Sequence, residues 1–227
     1  MVGASVVVVG ASNPTGFAIV QAFLAQGASV EVLVRTPEQG ELIGLKLGAP
    51  PLLSCRTVDF TDLEDCELAA RAILAERGPV HHAISCVRYG PRGDALWGGV
   101  DEIGGIDQTM AATWLPRLCR EGSYQFIVSG DRPTVGLQPK GPALLSDFDR
   151  RASEWGPDRR VFVIAAGPVP SEVGAESVRL ASDAGVDSAR ILMPGAFVGD
   201  PSWEQLIAAR LGLNTRLAQR SGNAGPS

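Results

Sequence analysis

The chain has 227 residues, 45% of them hydrophobic and 20% charged, with a formal net charge of −5. That length can bury one sizeable core. The acidic balance argues against nucleic acid as the main partner, because phosphate binding wants a basic face. No apolar run has the length of a membrane span, and no basic, apolar leader precedes the first core strand, so the expected compartment is the cytoplasm.

The first expected strand, over 4–10, holds the run Val6-Val7-Val8-Val9. A continuous β-branched run suits a parallel strand buried on both faces. It feeds the turn Gly10-Ala11-Ser12-Asn13-Pro14-Thr15-Gly16, and a helical pattern follows over 15–26. Gly10 suits the tight turn at the strand end, and Gly16 lets helix and strand pack closely. The helix N-terminus directs backbone N–H groups and a positive dipole end at whatever lies above the turn, which is a place for a pyrophosphate. Asn13 stands where a glycine is usual. Asn best tolerates a left-handed backbone among the other residues, which is how the turn is expected to accept it.

A second strand is expected over 29–35, completing a β-α-β unit. An acidic residue at its end would hold ribose hydroxyls, whereas an arginine accommodates a 2′-phosphate. Arg35 occupies that position, followed by Thr36, so the reading is NADP(H) rather than NAD(H). Strands are further expected over 52–58, 80–87, 123–129, 160–166 and 188–193. Helices fall between them at 37–47, 62–77, 100–121, 142–155 and 172–184, with a last one at 202–212. This alternation predicts a single α/β domain over 1–213, a doubly wound parallel Rossmann sheet of about seven strands. The polar, small-residue stretch 214–227 reads as a flexible tail.

Cys55, Cys66, Cys86 and Cys119 lack metal-ligand or disulfide spacing, and no metal is expected. His81 and His82 lie at the start of the fourth strand, opposite the ligand edge, which gives them a structural or surface role. Ligands of such sheets sit beyond the carboxyl ends of the strands. The site candidates are therefore the residues there, among them Ser85, Cys86, Arg88, Tyr89, Ser129, Asp131, Gly167 and Pro168.

With its glycine turn and Arg35, the chain resembles the short-chain dehydrogenase/reductase family, and most closely its atypical branch. Val58-Asp59-Phe60-Thr61-Asp62 is similar to the family's third-strand segment, which implies that Asp59 and Phe60 flank an adenine. Ser85 and Cys86 stand where the fourth strand usually ends in Asn-Asn-Ala-Gly beside the cofactor ribose. Gly167-Pro168 partly resembles a Pro-Gly segment facing the nicotinamide amide. The resemblance implies hydride transfer between NADP(H) and a small-molecule substrate, and a homodimer or homotetramer formed through the helix at 100–121.

The usual catalytic set is only partly present. Ser129 matches the family serine by position. The Tyr-x-x-x-Lys pair is absent near 142, where the sequence is Lys140-Gly141-Pro142-Ala143-Leu144-Leu145-Ser146. Only two tyrosines occur, Tyr89 and Tyr124. Tyr124 falls at the buried start of the fifth strand, which leaves Tyr89 as the candidate proton donor, with Asp131 and Lys140 as weaker substitutes. The alternatives are a catalytically silent NADP(H)-binding regulator and a non-redox enzyme on the same fold.

Overall fold

The computed structural model describes residues 1–60, 62–89, 115, 118, 119, 122–130, 160–166, 169–185 and 189–192. At 87–89, 128–130, 163, 165 and 189–192 it describes the backbone alone. The elements run β1 (Ser5–Val9), α1 (Pro14–Ala25), β2 (Ser29–Val34), α2 (Pro37–Leu47), β3 (Leu53–Thr57), α3 (Leu63–Arg77), β4 (His82–Tyr89), β5 (Ser123–Gly130), β6 (Arg160–Ala165), α4 (Pro170–Ser182) and β7 (Ala189–Leu192). The seven strands form one sheet in the order β3-β2-β1-β4-β5-β6-β7, and every pairing is parallel. The expected helices at 100–121, 142–155 and 202–212 and the tail at 214–227 lie almost entirely outside the described residues.

The pleat explains why the β1 run is apolar throughout. Val6 and Val8 join one core with Ile19, Val20 and Phe23 of α1 and Val173 and Leu180 of α4. Val7 joins a second core on the opposite face with Cys66, Ala69 and Ile73 of α3 and with Leu115 and Leu118. A strand covered on both faces favours apolar side chains at successive positions. Within the first core α1 and α4 approach closely: a Cβ placed on Gly174 would lie 2.8 Å from the Ala18 carbonyl oxygen.

β2 departs from this rule at one position. Glu31 is 2% exposed, on the α3 side of the sheet, and its carboxylate meets Arg56 of β3 and Arg77 of α3, each at 2.9 Å. The Ser54 hydroxyl also donates to it, and Arg77 reaches on to Ser29 Oγ at 2.6 Å. A charge this deep needs paired and hydrogen-bonded partners. The cluster joins the edge strand β3 to the helix that follows it.

Candidate functional site

The strand order reverses between β1 and β4, since β1 continues to β2 on one side and borders β4 on the other. Doubly wound sheets leave a crevice at the carboxyl ends of such a pair. The Gly10–Gly16 turn leaves β1 at that point. Gly10 has φ +87°, and a Cβ there would overlap the Cys86 carbonyl of β4. A Cβ on Gly16 would overlap the Gly10 carbonyl oxygen and lie 2.8 Å from its carbon and 2.9 Å from Ala11 Cα. Both glycines are therefore required by close backbone approach, as the sequence predicted for Gly16.

Asn13 corrects the sequence reading. Its φ is −89° and ψ 157°, in the extended region, so it is not placed there for left-handed tolerance. It is 9% exposed and is the N-cap of α1. Its Oδ1 accepts from the Gly16 N–H at 2.8 Å. Its Nδ2 donates to the Gly10 carbonyl at 2.7 Å and lies 3.4 Å from the Cys86 carbonyl. The Cys86 thiol donates back to Oδ1 at 3.6 Å.

The expectation of several free amides is corrected with it. Pro14 has no N–H, that of Gly16 goes to Asn13, and that of Phe17 goes to the Asn13 carbonyl at 2.9 Å. Thr15, at the second helical position, keeps an N–H for which a helix supplies no acceptor. Ser12 and Pro14 are exposed above the turn, and Thr15 is buried.

The other expected cofactor residues follow neighbouring strands at the same edge. Arg35 comes directly after β2, half-buried, with its backbone N–H donating to Gln39 Oε1 at 3.1 Å. Thr36 caps α2, its hydroxyl accepting from the Gln39 N–H at 3.4 Å, so the helix employs that oxygen. Asp59 is exposed just past β3, its N–H donating to Asp65 Oδ2 at 2.6 Å. The Phe60 ring is 4% exposed in the α3-side core. Only its backbone remains at the edge.

Ser85 is 1% exposed on β4. Burial raises the Tyr124 phenol well above its ordinary value, and a hydrogen bond with Ser85 opposes this. Tyr124 is thus a core residue, as predicted. At the far end of β4, His82 is buried and its Nδ1 lies 2.8 Å from Ser123 Oγ, while His81 Nδ1 accepts from the Ser5 N–H at 3.0 Å. Both histidines are structural, at the end of the sheet away from the turn. Among the described residues no group of three or more His, Cys, Asp or Glu side chains could hold a metal ion.

Tyr89 was expected just after β4, and Ser129 at the end of β5. Both lie within the strands, which run one or two residues further: Arg88 pairs with Ser129 and Tyr89 with Gly130. The two strands extend further than their apolar runs because each supplies the other's backbone hydrogen bonds. Tyr89 and Ser129 consequently stand one register step apart at the carboxyl edge, at positions that belong to opposite faces of the sheet. Gly167, Pro168 and Asp131 lie outside the described residues.

No family model matches the chain, and no curated protein matches it in sequence. Solved structures match by fold. A metagenomic short-chain oxidoreductase in complex with NADP is 17% identical at TM-score 0.63, covering 85% of this chain and 97% of its own. An alcohol dehydrogenase from the archaeon Thermococcus sibiricus, complexed with 5-hydroxy-NADP, is 15% identical at TM-score 0.63, covering 87% and 98%. An enoyl-(acyl-carrier-protein) reductase from Anaplasma phagocytophilum in complex with NAD is 18% identical at TM-score 0.63, covering 88% and 94%. The chain therefore has the doubly wound Rossmann fold of the short-chain dehydrogenase/reductase structures.

Proposed function

We propose that the chain is an NADP(H)-dependent oxidoreductase of the short-chain dehydrogenase/reductase type, a single domain over 1–213, acting on a small molecule. The observation that carries this is the Gly10–Gly16 turn. Both ends are too close to backbone for any side chain, and the turn lies at the reversal of strand order, where this architecture receives dinucleotides. The fold-mates complexed with NADP or an NADP analogue support the reading.

The residues fit the cofactor. Thr15 N–H and Ser12 would hold the pyrophosphate, and Arg35 would pair with the 2′-phosphate through its planar guanidinium. Asp59 and the Phe60 backbone would border the adenine, and Cys86 the ribose. The family resemblance would assign Gly167 and Pro168, which lie outside the described residues, to the nicotinamide end. When bound, the cofactor supplies hydride chemistry. Ser129 holds the substrate oxygen, and the Tyr89 phenol donates the proton. That donation would need its pKa brought down from about 10 by nearby positive charge.

The alternative is a silent NADP(H)-binding protein or a non-redox enzyme. It is favoured by Tyr124, the other tyrosine, being locked in the core. NADPH consumption over a panel of aldehydes, ketones, imines and enones separates the readings. Turnover that falls in Tyr89→Phe but not in Ser146→Ala, with NADPH affinity intact in both, supports the reductase. NADPH binding with no turnover on any substrate moves the assignment to the alternative. We also propose a homodimer or homotetramer through 100–121; a monomer by light scattering at tens of micromolar, on the order of common intracellular concentrations, rejects it.

A further inference from the structure

We propose that Asn13 is a positioning residue of the dinucleotide site, and that its carboxamide sets the floor on which the pyrophosphate rests. This rests on the NADP(H) reading above. Three chain segments converge on one side chain: the Gly10 carbonyl at the end of β1, the Cys86 carbonyl of β4 and the Gly16 N–H in the first turn of α1. Cys86 is 73 residues away in sequence and meets the carboxamide twice, through its carbonyl and its thiol. An N-cap needs only the bond to Gly16. Of the remaining contacts, the one to the Gly10 carbonyl closes the turn and the two to Cys86 cross from β1 to β4.

Their effect on an anion is physical. The carbonyl oxygens of Gly10 and Cys86 border the crevice and carry partial negative charge. The Gly10 oxygen also accepts from the Asn13 backbone N–H at 3.3 Å, so the carboxamide is its second donor; with that arm gone, each carbonyl tilts more readily toward the phosphates and repels them. The Nδ2 group donates to both and holds them down, and it fixes the separation of the two strand ends. The same residue withdraws the Gly16 amide from the anion, leaving the Thr15 N–H as the free amide of the first helical turn. With fewer amide donors, the placement of the remaining ones matters more.

Ser and Asn are comparable N-caps, which separates the two roles. In Asn13→Ser the hydroxyl still accepts from Gly16 but has no second arm for Gly10 and Cys86. In Asn13→Ala all the side-chain contacts are lost, while the backbone bonds of this residue to Gly10 and Phe17 remain. We measure melting temperature without cofactor and NADPH dissociation constant by calorimetric titration for the parent and both variants. The expected result is a melting temperature for Asn13→Ser near the parent's and below it for Asn13→Ala. NADPH affinity is expected to fall about tenfold in both, the scale set by loss of the donated hydrogen bonds.

Parental NADPH affinity in Asn13→Ser shows that the residue is a helix cap alone and overturns the proposal while the cofactor reading stands. A fall in affinity in Asn13→Ser together with a melting temperature as low as that of Asn13→Ala also overturns it, since the two variants then report one general loss of structure. If the parent binds neither NADPH nor NADH, the cofactor reading fails and the positioning role falls with it.

Discussion

Gly16→Ala adds one methyl group to a helix, a change that in an open helical position stabilises by up to about 1 kcal/mol. Here the sign reverses. The new carbon meets Gly10 O, Gly10 C and Ala11 Cα, all backbone atoms, so no rotamer change makes room. The start of α1 must move from β1, at an overpacking cost of about 1–3 kcal/mol. That movement also stretches the Asn13–Gly16 cap bond, worth about 1 kcal/mol. The net is a loss of about 1–3 kcal/mol, or roughly 2–12 °C in a chain of this size. NADP(H) binding is lost because the turn is displaced, and Gly16→Val does the same more severely. Two internal comparisons sharpen the test. A Cβ on Gly44 of α2 meets nothing within 4 Å, so Gly44→Ala raises the melting temperature by about 2–4 °C. Gly174→Ala presses on the Ala18 carbonyl and lowers it. Differential scanning fluorimetry with NADPH titration on the three variants measures both effects. A Gly16→Ala protein that melts at or above the parent and still binds NADPH refutes the assigned packing of turn and strand.

Arg35→Ala is expected to remove most of the preference for NADP(H) over NAD(H), because the guanidinium is the group at the end of β2 suited to a 2′-phosphate; equal affinities for the two dinucleotides in the parent, by calorimetry, reject this. Glu31→Ala leaves Arg56 and Arg77 without the carboxylate between them, at 25% and 22% side-chain exposure. Water reaches them in part, so the loss is below that of a fully buried pair, about 1–3 kcal/mol by urea denaturation; an unchanged midpoint shows the cluster to be unimportant. Burial holds the His82 imidazole down from 6.5 to about 4, with Arg160, His81 and the N-terminus adding positive charge. The unfolded chain therefore binds the proton more tightly, so stability is complete above pH 6.5 and falls between 6.5 and 4, by at most about 3 kcal/mol. In His82→Asn, which can keep the contact to Ser123, the slope over that window flattens; an unchanged slope assigns the pH dependence elsewhere.

The strands and helices of the first eighty residues are legible in the sequence because each is declared by local chemistry. Val6–Val9 can only be a strand covered on both faces, and Pro37 through Leu47 carry a capping threonine before them and Gly48 after. Since all strands are parallel, the residues after them gather at one edge without further information, and the candidate site follows from order alone. Contacts between distant segments arise only in the folded chain. Asn13 looked like a tolerated glycine substitute, since nothing near it in sequence reveals the Cys86 carbonyl across the crevice. Glu31 carries no mark in the sequence beyond its place in a strand, and its partners Arg56 and Arg77 arrive from β3 and α3. Tyr89 and Ser129 lie in strands that outlast their apolar runs, because a ladder ends where its partner does and not where hydrophobicity stops. Local propensity and periodicity are carried by neighbouring residues, whereas burial of a polar group depends on partners that only the folded chain brings within hydrogen-bond reach.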